Sequence, residues 1–133
     1  MRTTTRLREQ RGATAVEFAM VLPLLLALVI GIAEFGRAFQ VSGTLSAAAR
    51  EGVRVMALHD DPAAARAAVR TATSSLDPGV TDAQIAISPA SCPQTGTGST
   101  LVRVTIDYPL PFVTGLFGAG VDLTGTGVMR CNG

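Results

Sequence analysis

Arg11-Gly12-Ala13-Thr14-Ala15-Val16-Glu17-Phe18, followed by an apolar run to Ala33, is the stretch that decides how this 133-residue chain is built. Phe18 to Ala33 is sixteen uncharged residues. As a helix these rise about 24 Å at 1.5 Å per residue, short of a hydrocarbon core of about 30 Å. Counting from Ala13 gives twenty-one residues and about 31 Å, enough to span. Glu17 then stands inside or at the rim of the bilayer. A charge at the centre of a membrane helix costs on the order of 3 kcal/mol on insertion scales, and less near the edge. Pro23 removes one backbone donor within the run and predicts a bend there.

Charge around this junction is asymmetric. Arg2, Arg6, Arg8 and Arg11 precede Gly12 with only Glu9 against them. Beyond Gly12 stand seven arginines and nine acids, a balance of −2. Basic residues before an apolar span place that end in the cytoplasm and the remainder outside. The net charge of +1 argues against a nucleic-acid partner.

The residues leave three readings of the amino end open. One is an anchor cut on its cytoplasmic side. Another is a secretory signal peptide, with Gly31 and Ala33 as the small residues for cleavage before Glu34. The third is an anchor with no processing.

Beyond the run, Phe35, Phe39, Ser42, Leu45, Ala49, Val53 and Met56 recur at three- to four-residue steps, which predicts a helical stem continuing to about Leu58 with one narrow apolar face. Gly36, Gly43 and Gly52 either admit another helix or mark weak points. His59-Asp60-Asp61-Pro62 breaks the helix, with Asp61 as N-cap and Pro62 as first residue of a second helix. Its apolar face is Ala65, Val69, Ala72 and Leu76, and Asp77-Pro78-Gly79 ends it. Lone His59 lacks the companions a metal site needs.

Three later stretches read as strands: 83–88 with Ile85 and Ile87 on one face; 101–108 alternating Val102, Val104, Ile106 and Tyr108 with polar residues; and 122–131, weakened by Gly125 and Gly127. The connector from Pro109 through Phe117 is apolar, and burial under the sheet is the expectation. Pro89 to Ser99 is a polar loop; its Thr95-Gly96-Thr97-Gly98-Ser99 lacks the Gly-Lys-Ser/Thr ending of a phosphate loop. Cys92 and Cys131 lie on the outer side, where disulfides persist, and an intramolecular bond between them is expected. Their spacing excludes a CxxC redox or zinc site. The fold class expected is α+β: a long N-terminal transmembrane and stem helix, a second helix and a small antiparallel sheet. No Ser/His/Asp set, metal cluster or carboxylate pair supports an enzyme, and no cofactor is expected.

Gly12-Ala13-Thr14-Ala15-Val16-Glu17-Phe18 is similar to the cleavage motif of type IV prepilins and pseudopilins. The wider set Val16-Glu17-Phe18-Ala19, Leu22-Pro23-Leu24-Leu25, Gly31-Ile32-Ala33-Glu34-Phe35-Gly36 and Ala48-Ala49-Arg50-Glu51-Gly52-Val53-Arg54 resembles the TadE-like proteins of tight-adherence (Tad) pilus systems, as does the carboxyl end from Leu123 to Arg130. The resemblance implies a pilin-like fold and a minor pseudopilin. Its partners would be a prepilin peptidase cutting between Gly12 and Ala13, other pilins and pilus assembly proteins, and the membrane. It further implies that Glu17, beside Phe18, meets the new amine of Ala13 on a neighbouring subunit, which would lessen the desolvation penalty either charge bears alone. Many type IV pilins carry phenylalanine at the first mature position; here it is Ala13. The organisation implied is a basic cytoplasmic leader over 1–12, a transmembrane helix over 13–33, a helical stem over 34–58 and an extracytoplasmic α+β domain over 59–133. The open alternative is a secreted or anchored envelope protein with no pilus role.

Overall fold

A computed structural model describes residues 12–92 and 100–131 in full, and the backbone of 3–11. One helix, α1 (Thr3–His59), accounts for 57 residues. It is followed by α2 (Pro62–Ala72), a 3₁₀ turn at Asp82–Gln84, and three strands, β1 (Ile85–Ser88), β2 (Leu101–Pro111) and β3 (Gly120–Arg130). The fold is α+β, as expected. The chain divides into two compact units, 1–36 and 37–133.

In the first unit α1 continues through Pro23 without a break in the helix. Its large apolar side chains, among them Phe18, Met20, Leu24, Leu28 and Ile32, are exposed. This part of the helix is long and apolar enough to cross a membrane.

In the second unit the sheet order is β1-β2-β3, antiparallel throughout. β2 and β3 form a hairpin with Leu101 opposite Arg130 at one end and Pro111 opposite Gly120 at the other. Val102, Val104, Ile106, Tyr108 and Leu110 point from β2 into the core, the alternation that period-two patterning predicts. β2 is three residues longer than the sequence suggests and includes Pro109 and Pro111. β1 pairs only with Arg103 to Ile106, so past Ile106 one side of β2 is an open edge. A proline there withdraws no ladder donor. The region 83–88 is strand only from Ile85. Before it, Gln84 closes a tight turn on Thr81: its Oε1 accepts from the Thr81 amide at 2.8 Å and hydroxyl at 3.0 Å.

The stem half of α1 and α2 cover the sheet. Leu45, Ala49, Val53 and Met56 are buried as anticipated, together with Ala38, Val41, Ala48 and Ala57. The stripe is rotated at its start, however. Phe35 and Phe39 are exposed, at 55% and 85%, and Ala38 and Val41 take the inward positions. Gly125 and Gly127 sit on the inward parity of β3, and a Cβ at either would fall 2.6 or 2.5 Å from backbone atoms of Leu45 or Ala49. These glycines, read as weakening the strand, are what seat it on the helix.

Asp61 caps α2 as expected, its Oδ1 accepting from the amides of Ala63 at 2.9 Å and Ala64 at 3.0 Å. The helix ends earlier than its apolar spacing suggests. Ala72 is exposed and Thr73 is buried in its place. The Thr73 hydroxyl and amide both donate to the Val69 carbonyl oxygen at 2.9 Å, satisfying end-of-helix acceptors locally. Leu76 still packs against the core from the following turn. Gly52 meets Val69 of α2, whereas Gly36 and Gly43 face open space.

Candidate processing and assembly segment

Gly12, Ala13, Glu17 and Phe18 all lie within α1 and all are exposed. Ala13 and Glu17 are four residues apart, which places them one above the other on one helix face, separated by about 6 Å of rise. A long side chain on a helix leans toward the amino end, so the Glu17 carboxylate is directed along its own helix toward the Ala13 position. A Cβ at Gly12 would touch nothing among the described residues. Glycine in a helix interior costs about 1 kcal/mol relative to alanine, a cost α1 bears at Gly12 as at Gly31, Gly36, Gly43 and Gly52 while remaining helix throughout.

Cys92 and Cys131 are joined by a disulfide, with Cα atoms 5.5 Å apart and 39 residues of separation. Cys92 is fully buried, and the Cys131 amide donates to Thr100 O at 2.9 Å. The bond fastens the segment after β1 to the end of β3. The Cys92 amide donates to the Asp60 carboxylate, so the same segment is also held to the α1–α2 junction, where Asp60 adopts φ +51°. The tract 95–99 lies outside the described residues.

Among the described residues no group of three His, Cys, Asp or Glu converges to hold a metal ion, and His59 is exposed at the end of α1. One groove of about 270 Å³ is lined by Arg37, Gln40, Thr44, Asp77, Tyr108 and Leu110, among others. Several of its polar groups are engaged by the fold itself. Arg37 donates to the Pro111 carbonyl oxygen at 3.0 Å, Thr44 to Gln40 O at 3.1 Å and Tyr108 to Pro78 O at 2.7 Å. Burial pushes the Tyr108 phenol above its ordinary range; Arg37 pulls the other way and Asp77 adds to the rise. The Arg37 and Tyr108 contacts hold the hairpin to the stem and to the turn after α2. None was legible in the sequence, because each joins segments at least thirty residues apart or depends on a local backbone carbonyl.

The exposed amino-terminal helix, Gly12 and the carboxylate one turn beyond Ala13 coincide with a family match. Residues 12–54 match the model of the TadE-like protein family. The TadE-like segment thus begins at Gly12 and ends within the stem, and the family is one of Tad pilus-associated proteins. It covers the apolar helix and most of the buried stem face from Ala38 to Val53. The sheet and α2 lie beyond it. No curated protein and no solved structure matches the chain.

Proposed function

We propose that this protein is a minor pseudopilin of a Tad pilus system: a single-helix envelope subunit, cut by a prepilin peptidase between Gly12 and Ala13, that acts in pilus assembly and adhesion. The observation that carries the reading is the TadE-like match starting at Gly12 on a helix long and apolar enough to span a membrane. The basic leader 1–12 stays in the cytoplasm and is removed; 13–33 spans; the stem and the disulfide-bonded α+β domain project outward. Four arginines before Gly12 support that orientation, and the disulfide agrees with an oxidising exterior.

After the cut, Ala13 carries a free amine. Glu17 supplies the opposite charge one turn away on its own helix or, in an assembly, to the amine of a neighbouring subunit. Pairing reduces the cost of holding either charge in a low-dielectric setting. Its role is to set axial register between subunits. Other pilins and pilus assembly proteins are the partners; the role is structural, with no catalytic step.

Sequencing the mature amino terminus tests the reading. A start at Ala13 supports it. A start at Glu34 identifies a secreted domain released by signal peptidase, a cut that would fall in the interior of α1. An intact Met1, in a host with active prepilin peptidase, leaves an unprocessed anchor. Glu17→Ala is expected to permit cleavage and to impair assembly; pilus output equal to that of the unaltered protein would refute the charge pair.

A further inference from the structure

The apolar connector between β2 and β3 does not fold under the sheet. Leu110 is buried, but Val113, Leu116 and Phe117 stand exposed at 77%, 57% and 44%. No charged residue occurs between Asp107 and Asp122, a run of fourteen residues. The loop's backbone is partly closed on itself: the Phe112 amide donates to Ala119 O at 3.2 Å, and the Gly118 amide to Gly115 O at 3.3 Å. Gly115 and Gly118, at φ +64° and +115°, supply the left-handed turns that this closure needs. Exposed apolar tips on a loop that carries no charge suit a medium without water.

The position of the tip identifies that medium. Gly125 faces Leu45 and Gly127 faces Ala49, so β3 and the stem advance in the same direction, and the tip points back toward the start of the stem. There the Arg37 guanidinium donates to Pro111 O, at the base of the loop. Arg37 is only four residues past Ala33, the end of the apolar run. That is about 6 Å along a helix and no more than about 14 Å of fully extended chain. Chain connectivity alone therefore keeps the base of the loop within reach of the end of the apolar run.

We infer that the β2–β3 loop, through Val113, Leu116 and Phe117, inserts into the lipid surface from which the stem emerges, giving the outer unit a second, monotopic membrane contact. The inference rests on the membrane-spanning reading of residues 13–33. Its consequence is that the domain is held against the bilayer until the subunit is extracted into an assembly.

The chain has no tryptophan, so a single substitution reports its own depth. The full chain would be reconstituted in phosphatidylcholine vesicles, with and without bromine on the acyl chains, as Leu116→Trp, Leu101→Trp and Leu25→Trp. Leu101 is exposed at the opposite end of the hairpin, about 34 Å along the strand, and Leu25 lies in the apolar helix. The expected result is blue-shifted emission from Leu116→Trp that is lost in brominated lipid and insensitive to aqueous acrylamide, with the reverse for Leu101→Trp. Emission from Leu116→Trp quenched by acrylamide and not by bromine, while Leu25→Trp is quenched by bromine, overturns the loop contact and leaves the span intact. Protection from both quenchers points to a second copy or another protein over the loop and also overturns it. Failure of bromine to quench Leu25→Trp overturns the span and the loop contact together.

Discussion

A Cβ built on Gly127 would lie 2.5 Å from the carbonyl oxygen of Ala49. That distance is shorter than packed atoms tolerate, and the atom met is backbone, which cannot swing aside. β3 therefore lies against the stem without side chains between them at this point, and Gly125 repeats the arrangement one turn earlier, at Leu45. The helix and the sheet are joined through this seam, with Val102, Val104 and Ile106 of β2 filling the core beside it.

Gly127→Ala is expected to destabilise the outer unit by about 1–3 kcal/mol, the range for forcing an extra methyl into a packed core. Gly43→Ala provides the contrast. Gly43 is helical and faces open space, so alanine there is expected to stabilise by about 0.5–1 kcal/mol. Chemical unfolding of the detergent-solubilised chain, followed by circular dichroism, compares the two. Equal midpoints for both variants would remove the seam from the account.

Removing the disulfide is expected to be costly for so small a core. Closing 39 residues is worth about 4 kcal/mol in the chain-entropy model, usually an upper figure. The double variant Cys92→Ser with Cys131→Ser, and the unaltered chain under reductant, are expected to unfold at the same lowered denaturant concentration. A reduced chain as stable as the oxidised one would show that the Asp60 contact to the Cys92 amide suffices to hold this segment.

Tyr108 gives the outer unit a pH dependence of defined sign. Its folded pKa is raised above the ordinary 10.0, chiefly by burial. Below about pH 10 both states keep the proton and the contribution is full. As pH rises further the unfolded chain releases its proton first, so stability falls as pH passes upward through the folded pKa. Tyr108 is the chain's single tyrosine, so phenolate absorbance in an alkaline titration reads this residue alone and should appear later in the folded than in the denatured protein. Tyr108→Phe, which also loses the bond to Pro78 O, is expected to lower stability by about 1 kcal/mol at neutral pH and to flatten the alkaline decline. A titration identical in both states would show the phenol to be open to water.

Much of this was legible along the chain. The apolar helix, the Asp61-Pro62 start of α2, the inward set Val102, Val104, Ile106 and Tyr108, and the Cys92–Cys131 pair each follow from local chemistry. Periodicity misplaced the first turns of the stem face, because Phe35 and Phe39 satisfy the same spacing as Ala38 and Val41. Hydrophobicity favoured the phenylalanines, whereas the face that turns inward is set by how the stem lies on the sheet, with Ala38 and Val41 buried and Phe35 and Phe39 exposed. The apolar loop at Leu116 and Phe117 was expected to be buried for the same reason: composition reports a preference to leave water and says nothing of which non-aqueous surface is within reach.

The amino-acid sequence alone determined that an apolar helix with Gly12, Ala13 and Glu17 at its mouth precedes a helical stem and a small sheet, since charge asymmetry, run length and period are properties of neighbouring residues. Tertiary structure decided which stem face is inside, why β3 needs Gly125 and Gly127, and that the β2–β3 loop returns to Arg37 on the stem. These are relations between segments as much as eighty residues apart. They exist only once backbones approach to contact distance, and no local pattern of hydrophobicity encodes that distance.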